Sequence, residues 1–234
     1  MLKRISYTIT SQSPMYPGTP PVTFHEIRSI QKGDSANTTL LSLSTHTGTH
    51  IDVPRHFCPA GKTVREIIGE MLDLAPVFCV DIPVGPGSPI GVPDIRPFIG
   101  RLRGAAGLLV RTGMYMVRAT DPKMYCNNHP WIHPDVPSYL RLECPSLRLF
   151  GTDTISVTSP SHRNEGRECH RVFLCDDNPI LIAEDLDVSD PLLSSAPLHV
   201  SIYPWISDAP DGIPVQVFAD FLPQMTGAPK DRYP

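Results

Sequence analysis

The chain has 234 residues, 41% of them hydrophobic, and a formal net charge of −4 with its histidines neutral. That composition supplies a core and excludes a disordered chain. The mild negative charge excludes the basic footprint of a nucleic-acid or anionic-membrane binder. No run reaches the ~18 apolar residues of a membrane span, so the expected partner is a small molecule.

In chain order, "RISYTIT" (4–10) is rich in β-branched and aromatic residues and predicts a strand. A Pro/Gly loop (13–21) follows, then strands over 22–30 and, as one longer element, 38–53. Residues 63–74 place Val64, Ile67, Ile68, Met71 and Leu72 at helical spacing, with Thr63 as N-cap. Short buried strands are expected over 76–83, 106–114, 146–157, 178–186 and 197–206, with a broken helical segment over 92–102. The stretch 115–145 is too irregular to assign. The 27 prolines are dispersed, which reads as short elements joined by rigid loops. Strands mixed with few helices predict an α/β fold with a mixed sheet, in one domain over residues 1–234.

The six cysteines form no CxxC pair, and "MLKRISYTIT" has no apolar run after its basic residues. A cytoplasmic protein with reduced, core-filling thiols is the expectation.

The densest chemistry is in "THTGTHIDVPRHF" (45–57), where every second position is special: His46, Gly48, His50, Asp52, Pro54, His56. In an extended strand, side chains two apart share a face, so His46, His50 and Asp52 are expected to project together. Gly48 leaves room between the imidazoles. Pro54 ends the strand and turns His56 to a new angle. Imidazole nitrogens with a carboxylate oxygen suit zinc, manganese or iron. More ligands must come from elsewhere in the chain. No GxSxG elbow and no phosphate-binding glycine loop is present.

The run "HTGTHIDVPRH" (46–56) resembles, without a mismatch, the HxGTHxDxPxH signature of the metal-dependent cyclase-like hydrolases, a family that includes bacterial-type kynurenine formamidases and isatin hydrolases. "YPGTPP" (16–21), "HFCPAGKTV" (56–64), "LLVRTGM" (108–114), "LFGTDTISV" (149–157), "ECHRVFL" (168–174) and "ILIAEDL" (180–186) resemble further family segments in the same order. The resemblance implies a swivelling β/β/α fold, assembled as a homodimer or higher oligomer. It also implies one or two divalent ions, Zn or Mn, held by His46, His50, Asp52, His170 and Glu184, with His56 as acid/base. His162 competes with His170 for its role, and His170 is favoured because "HRVFL" matches an apolar helix start. Asp185 is excluded because it faces away from Glu184 on a strand. His129 and His133 are expected to be structural or pocket-lining. Tyr16, Tyr125 and Trp131 are candidate aromatic pocket residues.

The implied activity is hydrolysis of a small amide, first of all N-formylkynurenine to kynurenine and formate, with a cyclic amide such as isatin as the alternative. A non-catalytic metal-binding scaffold is a second alternative, disfavoured by the intact His56.

Overall fold

The computed structural model describes residues 2–222 apart from 70, 206 and 209. Its strands are β1 (Lys3–Arg4), β2 (Thr23–Arg28), β3 (Thr38–Ser42), β4 (His50–Asp52), β5 (Leu72–Asp81), β6 (Pro89–Ile90), β7 (Gly107–Arg111), β8 (Trp131–Ile132), β9 (Leu149–Thr152), β10 (Leu181–Glu184), β11 (Leu198–Pro204) and β12 (Gly212–Phe221). Its helices are α1 (Val64–Ile67), α2 (Val92–Ile95), α3 (Ile99–Leu102), α4 (Pro122–Asn127), α5 (Asp135–Glu143) and α6 (Arg163–Leu174).

The main sheet runs β1-β12-β11-β5-β7-β9-β10-β4, and β4 pairs back onto β12. That second pairing closes a seven-stranded barrel, with β1 attached outside the ring. Strands β5, β7, β9 and β10 are mutually parallel; β11 pairs antiparallel with β5, β4 with β10, and β12 antiparallel with both β11 and β4. The sheet is therefore mixed, as expected for the α/β class.

Strand alternation divides the apolar residues into two layers. Ile51, Val77, Leu109, Leu149, Leu181, Val200, Ile213 and Val217 pack together as the barrel interior. Their sequence neighbours Leu108, Val110, Phe150 and Ile182 face outward, against Ile95, Leu102, Leu140 and Phe173 of the helical layer. Buried on both faces, β7 and β9 read in the sequence as continuous apolar runs.

Several elements differ from the sequence expectation. The strand over 38–53 breaks: β3 leaves the barrel to pair with β2 in an exposed hairpin, and Gly48, at φ +61°, turns the chain before a three-residue β4. The helix over 63–74 stops at Ile67. Thr63 caps it, its N–H donating to Glu66 Oε2 at 2.8 Å, but Gly69 takes a left-handed φ of +64° and Leu72 and Leu74 belong to β5; residue 70 lies outside the described residues. Of the strand over 4–10 only β1 and a bridge from Ser6 to Leu186 form. The segment 115–145 is ordered, holding α4, β8 and α5. In 197–206, β11 ends at Pro204, and residue 206 lies outside the described residues. β12 went unread because Pro214 interrupts it, yet Ile213, Val215, Val217 and Ala219 alternate inward.

The reduced-thiol expectation is corrected. Cys58 and Cys175 form a disulfide with 5.7 Å between their Cα atoms, while Cys79, Cys126, Cys144 and Cys169 are buried and free. The bond links the turn after His56 to the residue that ends α6. A pairing across 117 positions leaves no local spacing signal in the sequence.

Candidate metal centre

The centre lies on the outer face of the barrel, at the carboxyl end of β10. In β4, Ile51 points inward, so His50 and Asp52 point outward. The antiparallel register sets Glu184 opposite His50 and Ile182 opposite Asp52. A period of two on each strand thus delivers two carboxylates and an imidazole to one spot. The fourth group arrives from α6, where His170 lies buried against the same carboxylates.

Both histidines have their tautomer fixed by a carbonyl. His50 Nδ1–H donates to Gly48 O at 2.9 Å, and His170 Nδ1–H donates to Gly166 O at 2.8 Å. Each Nε2 is left to face the acids. His50 Nε2 lies 3.4 Å from Asp52 Oδ1 and 3.4 Å from Glu184 Oε2. His170 Nε2 lies 3.5 Å from Asp52 Oδ2 and 3.7 Å from Glu184 Oε1. A tetrahedral ion with bonds of ~2.0–2.2 Å holds its ligand atoms about 3.3–3.6 Å apart, so these separations suit one. Glu184 Oε1 also accepts from Val157 N (2.7 Å) and Ser156 Oγ (3.0 Å), which fixes the carboxylate.

One atom asks for a cation directly. Asp52 is 1% exposed, and its Oδ2 has no hydrogen-bond partner among the described residues. A buried carboxylate oxygen left bare costs desolvation energy that an ion would offset. His50, Asp52 and Glu184 offer ligand atoms within 4.8 Å of one another, and this set with the orphan oxygen beside His170 Nε2 fits a divalent metal.

His46 stands apart from the four. It comes from the turn before β4 and not from a shared strand face, so the expected common projection with His50 and Asp52 does not occur. Its Nδ1 donates to Asp52 Oδ1 at 2.8 Å and its Nε2 reaches Asp211 Oδ2 at 3.3 Å. His56, from the Pro54–His56 turn, stacks on it with ring centroids 4.0 Å apart. His46, Asp52 and His56 form a second potential ligand group that shares Asp52 with the first.

The electrostatics follow the geometry. Burial alone would lower the His170 pKa, but the Asp52 and Glu184 carboxylates beside its ring reverse this and raise it to about 10. His50 is raised in the same way, against its burial, by Asp52 and Glu184. Asp52 and Glu184 are held below the usual carboxylate range: the histidines outweigh the burial, and Glu184 also resists the neighbouring Asp52 charge. His56 is the exception: burial pushes it down to about 4.

The cavity beside the centre has a volume of about 320 Å³. Tyr16, Phe57, Ile155 and the six sequence-predicted residues His46, His50, Asp52, His56, His170 and Glu184 all line it. Two other aromatic candidates do not. Tyr125 is buried with its hydroxyl on Asp185, and Trp131 stacks on His162 at 4.6 Å. That stacking takes His162 out of contention. His129 lies in the core, its ring nitrogens facing the carbonyls of Tyr125 and Thr158, and His133 is near the surface beside Asp135. Asp185 lies just past the end of β10 at a φ of +55°, not on the strand, and takes two nitrogens of a bidentate Arg118 pair at 2.6 Å. His170 sits on the last turns of α6, not at a helix start.

Sequence reading missed Asp211, which immediately precedes β12, and the supporting hydroxyls of Ser156 and Thr158. An isolated Asp, Ser or Thr gives no local signal of such a contact.

The sequence profile of the cyclase family, described as "Putative cyclase", matches residues 4–159. The chain belongs to this family. It is 31% identical over 154 residues to a kynurenine formamidase of Geobacillus thermodenitrificans, covering 65% of this chain and 68% of the relative. It is likewise 31% identical over 169 residues to a kynurenine formamidase of Bacillus cereus, covering 72% and 75%. Isatin hydrolase A of Labrenzia aggregata, solved with benzyl benzoate, superposes with a TM-score of 0.73 at 21% identity, covering 94% of this chain and 93% of that one. That likeness shows the shared fold.

Proposed function

We propose that this cyclase-family protein is a metal-dependent amide hydrolase of the arylformamidase type, converting N-formylkynurenine to kynurenine and formate. The observation that carries the reading is the convergence of His50, Asp52, His170 and Glu184 at ligand separations around an orphan carboxylate oxygen, with the unligated His56 beside them. The kynurenine formamidase relatives support the substrate.

We assign the primary ion, Zn or Mn, to His50, Asp52, His170 and Glu184. His46, in contact with Asp52, is the donor for a second ion, and His56 stays free of metal. When bound, a divalent metal acidifies water and polarises an amide carbonyl. The chain's own residues do the rest. His56, neutral at pH 7, takes the proton from the attacking water and returns it to the amide nitrogen as the C–N bond breaks. One water is consumed, and the amine and the acid leave. Asp211 and Asp52 hold the His46 ring on which His56 stacks, which orients the base. Phe57, stacked on His170 at 4.6 Å, keeps bulk water from the imidazole.

The test is metal analysis by mass spectrometry together with assays on N-formylkynurenine and isatin. Bound divalent metal and formyl hydrolysis are expected. A protein that takes up neither zinc nor manganese on reconstitution would refute the centre.

Metal uptake should release protons. In metal-stripped protein, His50 and His170 are held charged by the acids, His170 to about pH 10, whereas a ligand must be neutral. Affinity is therefore weakest at low pH and is expected to rise with pH toward 10. The apparent binding enthalpy measured by calorimetry should change with the ionisation enthalpy of the buffer.

Gly166→Ala tests how His170 is held. A Cβ there would meet Thr158 Cγ2 at 2.2 Å and Oγ1 at 2.3 Å, and Thr158 Oγ1 touches His170 Nδ1 at 3.1 Å. Overpacking should destabilise the fold by about 1–3 kcal/mol. Displacing the groups that orient a ligand should weaken metal binding roughly 10–100-fold. Thermal unfolding and chelator competition measure the two effects.

We also propose that the protein is a homodimer or larger. Phe24, Ile27 and Leu40 are about half exposed on the β2–β3 hairpin, which pairs with no other strand, and sedimentation velocity decides it. No helix among the described residues is long and apolar enough to cross a membrane. A cytoplasmic location is proposed, with cell fractionation as its test: recovery of the protein outside the cytoplasmic fraction would refute it.

A further inference from the structure

Arg163 and Arg167 line the same cavity as the metal-centre residues. They sit on α6 one turn apart, and His170 lies a turn further along the same helix face. Neither guanidinium has a hydrogen bond or ion pair among the described residues. Other arginines of the fold are used up by the protein: Arg118 by Asp185, Arg111 by Asp81 and two carbonyls, Arg141 by Asp176 and carbonyls of the α6 region. Of the two acids on this helix, Glu168 pairs with Arg171, and Glu165 forms no ion pair with either arginine among the described residues.

The spacing sets two exposed like charges side by side on α6. Like charges at i and i+4 on a helix repel, and here both face one cavity. The cavity's own carboxylates, Asp52 and Glu184, are held by histidines. Tyr16, which lines the same cavity, feels both arginines. Two free guanidiniums converging on a cavity that already contains the reacting centre are the chemistry of carboxylate recognition. With a rise of ~1.5 Å per residue, they lie about 5 and 10 Å along the helix axis from His170.

We propose that Arg163 and Arg167 form a carboxylate subsite, so that the preferred substrate is an aryl amide carrying an anionic carboxylate that reaches this helix face. A neutral cyclic amide leaves this subsite empty. The inference rests on the amide-hydrolase reading for its catalytic consequence but not for binding.

The experiment compares two aryl formamides, N-formyl-L-kynurenine and the carboxylate-free 2-formamidoacetophenone, in wild type, Arg163→Gln, Arg167→Gln and the double variant. The preference for the carboxylate, as the ratio of the two kcat/KM values, is expected to fall about 10-fold in each single variant and about 100-fold in the double. The loss should lie in KM, and lysine at either position should restore part of it. Equal losses on both substrates, or an unchanged ratio, would overturn the subsite.

Binding separates the two claims. If wild type hydrolyses neither compound, the hydrolase reading fails while the subsite is still decided by calorimetry with L-kynurenine and 2-aminoacetophenone. Tighter binding of L-kynurenine that disappears in the double variant supports the subsite. Equal affinities in wild type overturn it.

Discussion

Asp52→Asn is expected to abolish both metal retention and turnover, with kcat/KM falling by about four orders of magnitude or more. Asp52 is the one residue common to the two ligand groups. Its Oδ1 lies 2.8 Å from His46 Nδ1 and 3.4 Å from His50 Nε2, and its Oδ2 lies 3.5 Å from His170 Nε2. An amide of the same shape keeps the packing but removes the charge to which three imidazoles are referred. The remaining set of two histidines and Glu184 carries one negative charge fewer against a dication. Metal content measured after gel filtration, alongside formamidase rate, checks both halves. A variant that retains a full complement of metal would show that Asp52 is not the central ligand.

His56→Ala is expected to keep its metal and lose about 10²–10⁴-fold in kcat, the usual contribution of a positioned acid/base. The residue is separable from the primary ligand set: its ring stacks on His46 and reaches neither Glu184 nor His170 by hydrogen bond. Burial lowers its pKa to about 4. The imidazole is therefore neutral and able to accept a proton at pH 7, and it loses that ability as pH falls toward 4. Wild-type activity should show an acid limb in that direction which the alanine variant lacks. A pH–rate profile of both proteins on one substrate measures it. Unchanged kcat in the variant would move the base elsewhere.

The motif was legible because its residues are rare types at fixed spacing. His46, His50, Asp52 and His56 all reach one cavity, and His170 and Glu184 complete it from α6 and β10. Their mutual arrangement was not legible. A period of two held for His50 and Asp52, but Gly48 adopts a left-handed turn that a strand reading does not anticipate, so His46 arrives by another route. Apolar runs revealed β7, β9 and β10, because strands buried on both faces need no polar alternation. The closing strand β12 was hidden by one proline, although its inward residues alternate correctly. What depended on distant partners, such as the Asp211–His46 contact and the Cys58–Cys175 bond, left no local trace.

The Cys58–Cys175 bond also decides which side of the cavity can yield. It clamps the turn carrying His56 and Phe57 to the end of the helix carrying His170, so two of the cavity's walls are one covalent unit. Tyr16, Pro17 and Thr19, which also line the cavity, belong to a proline-rich stretch that contributes to no described strand of the barrel. The lining is thus unevenly held: one part is tied covalently, and the other is tied by no ladder of backbone hydrogen bonds.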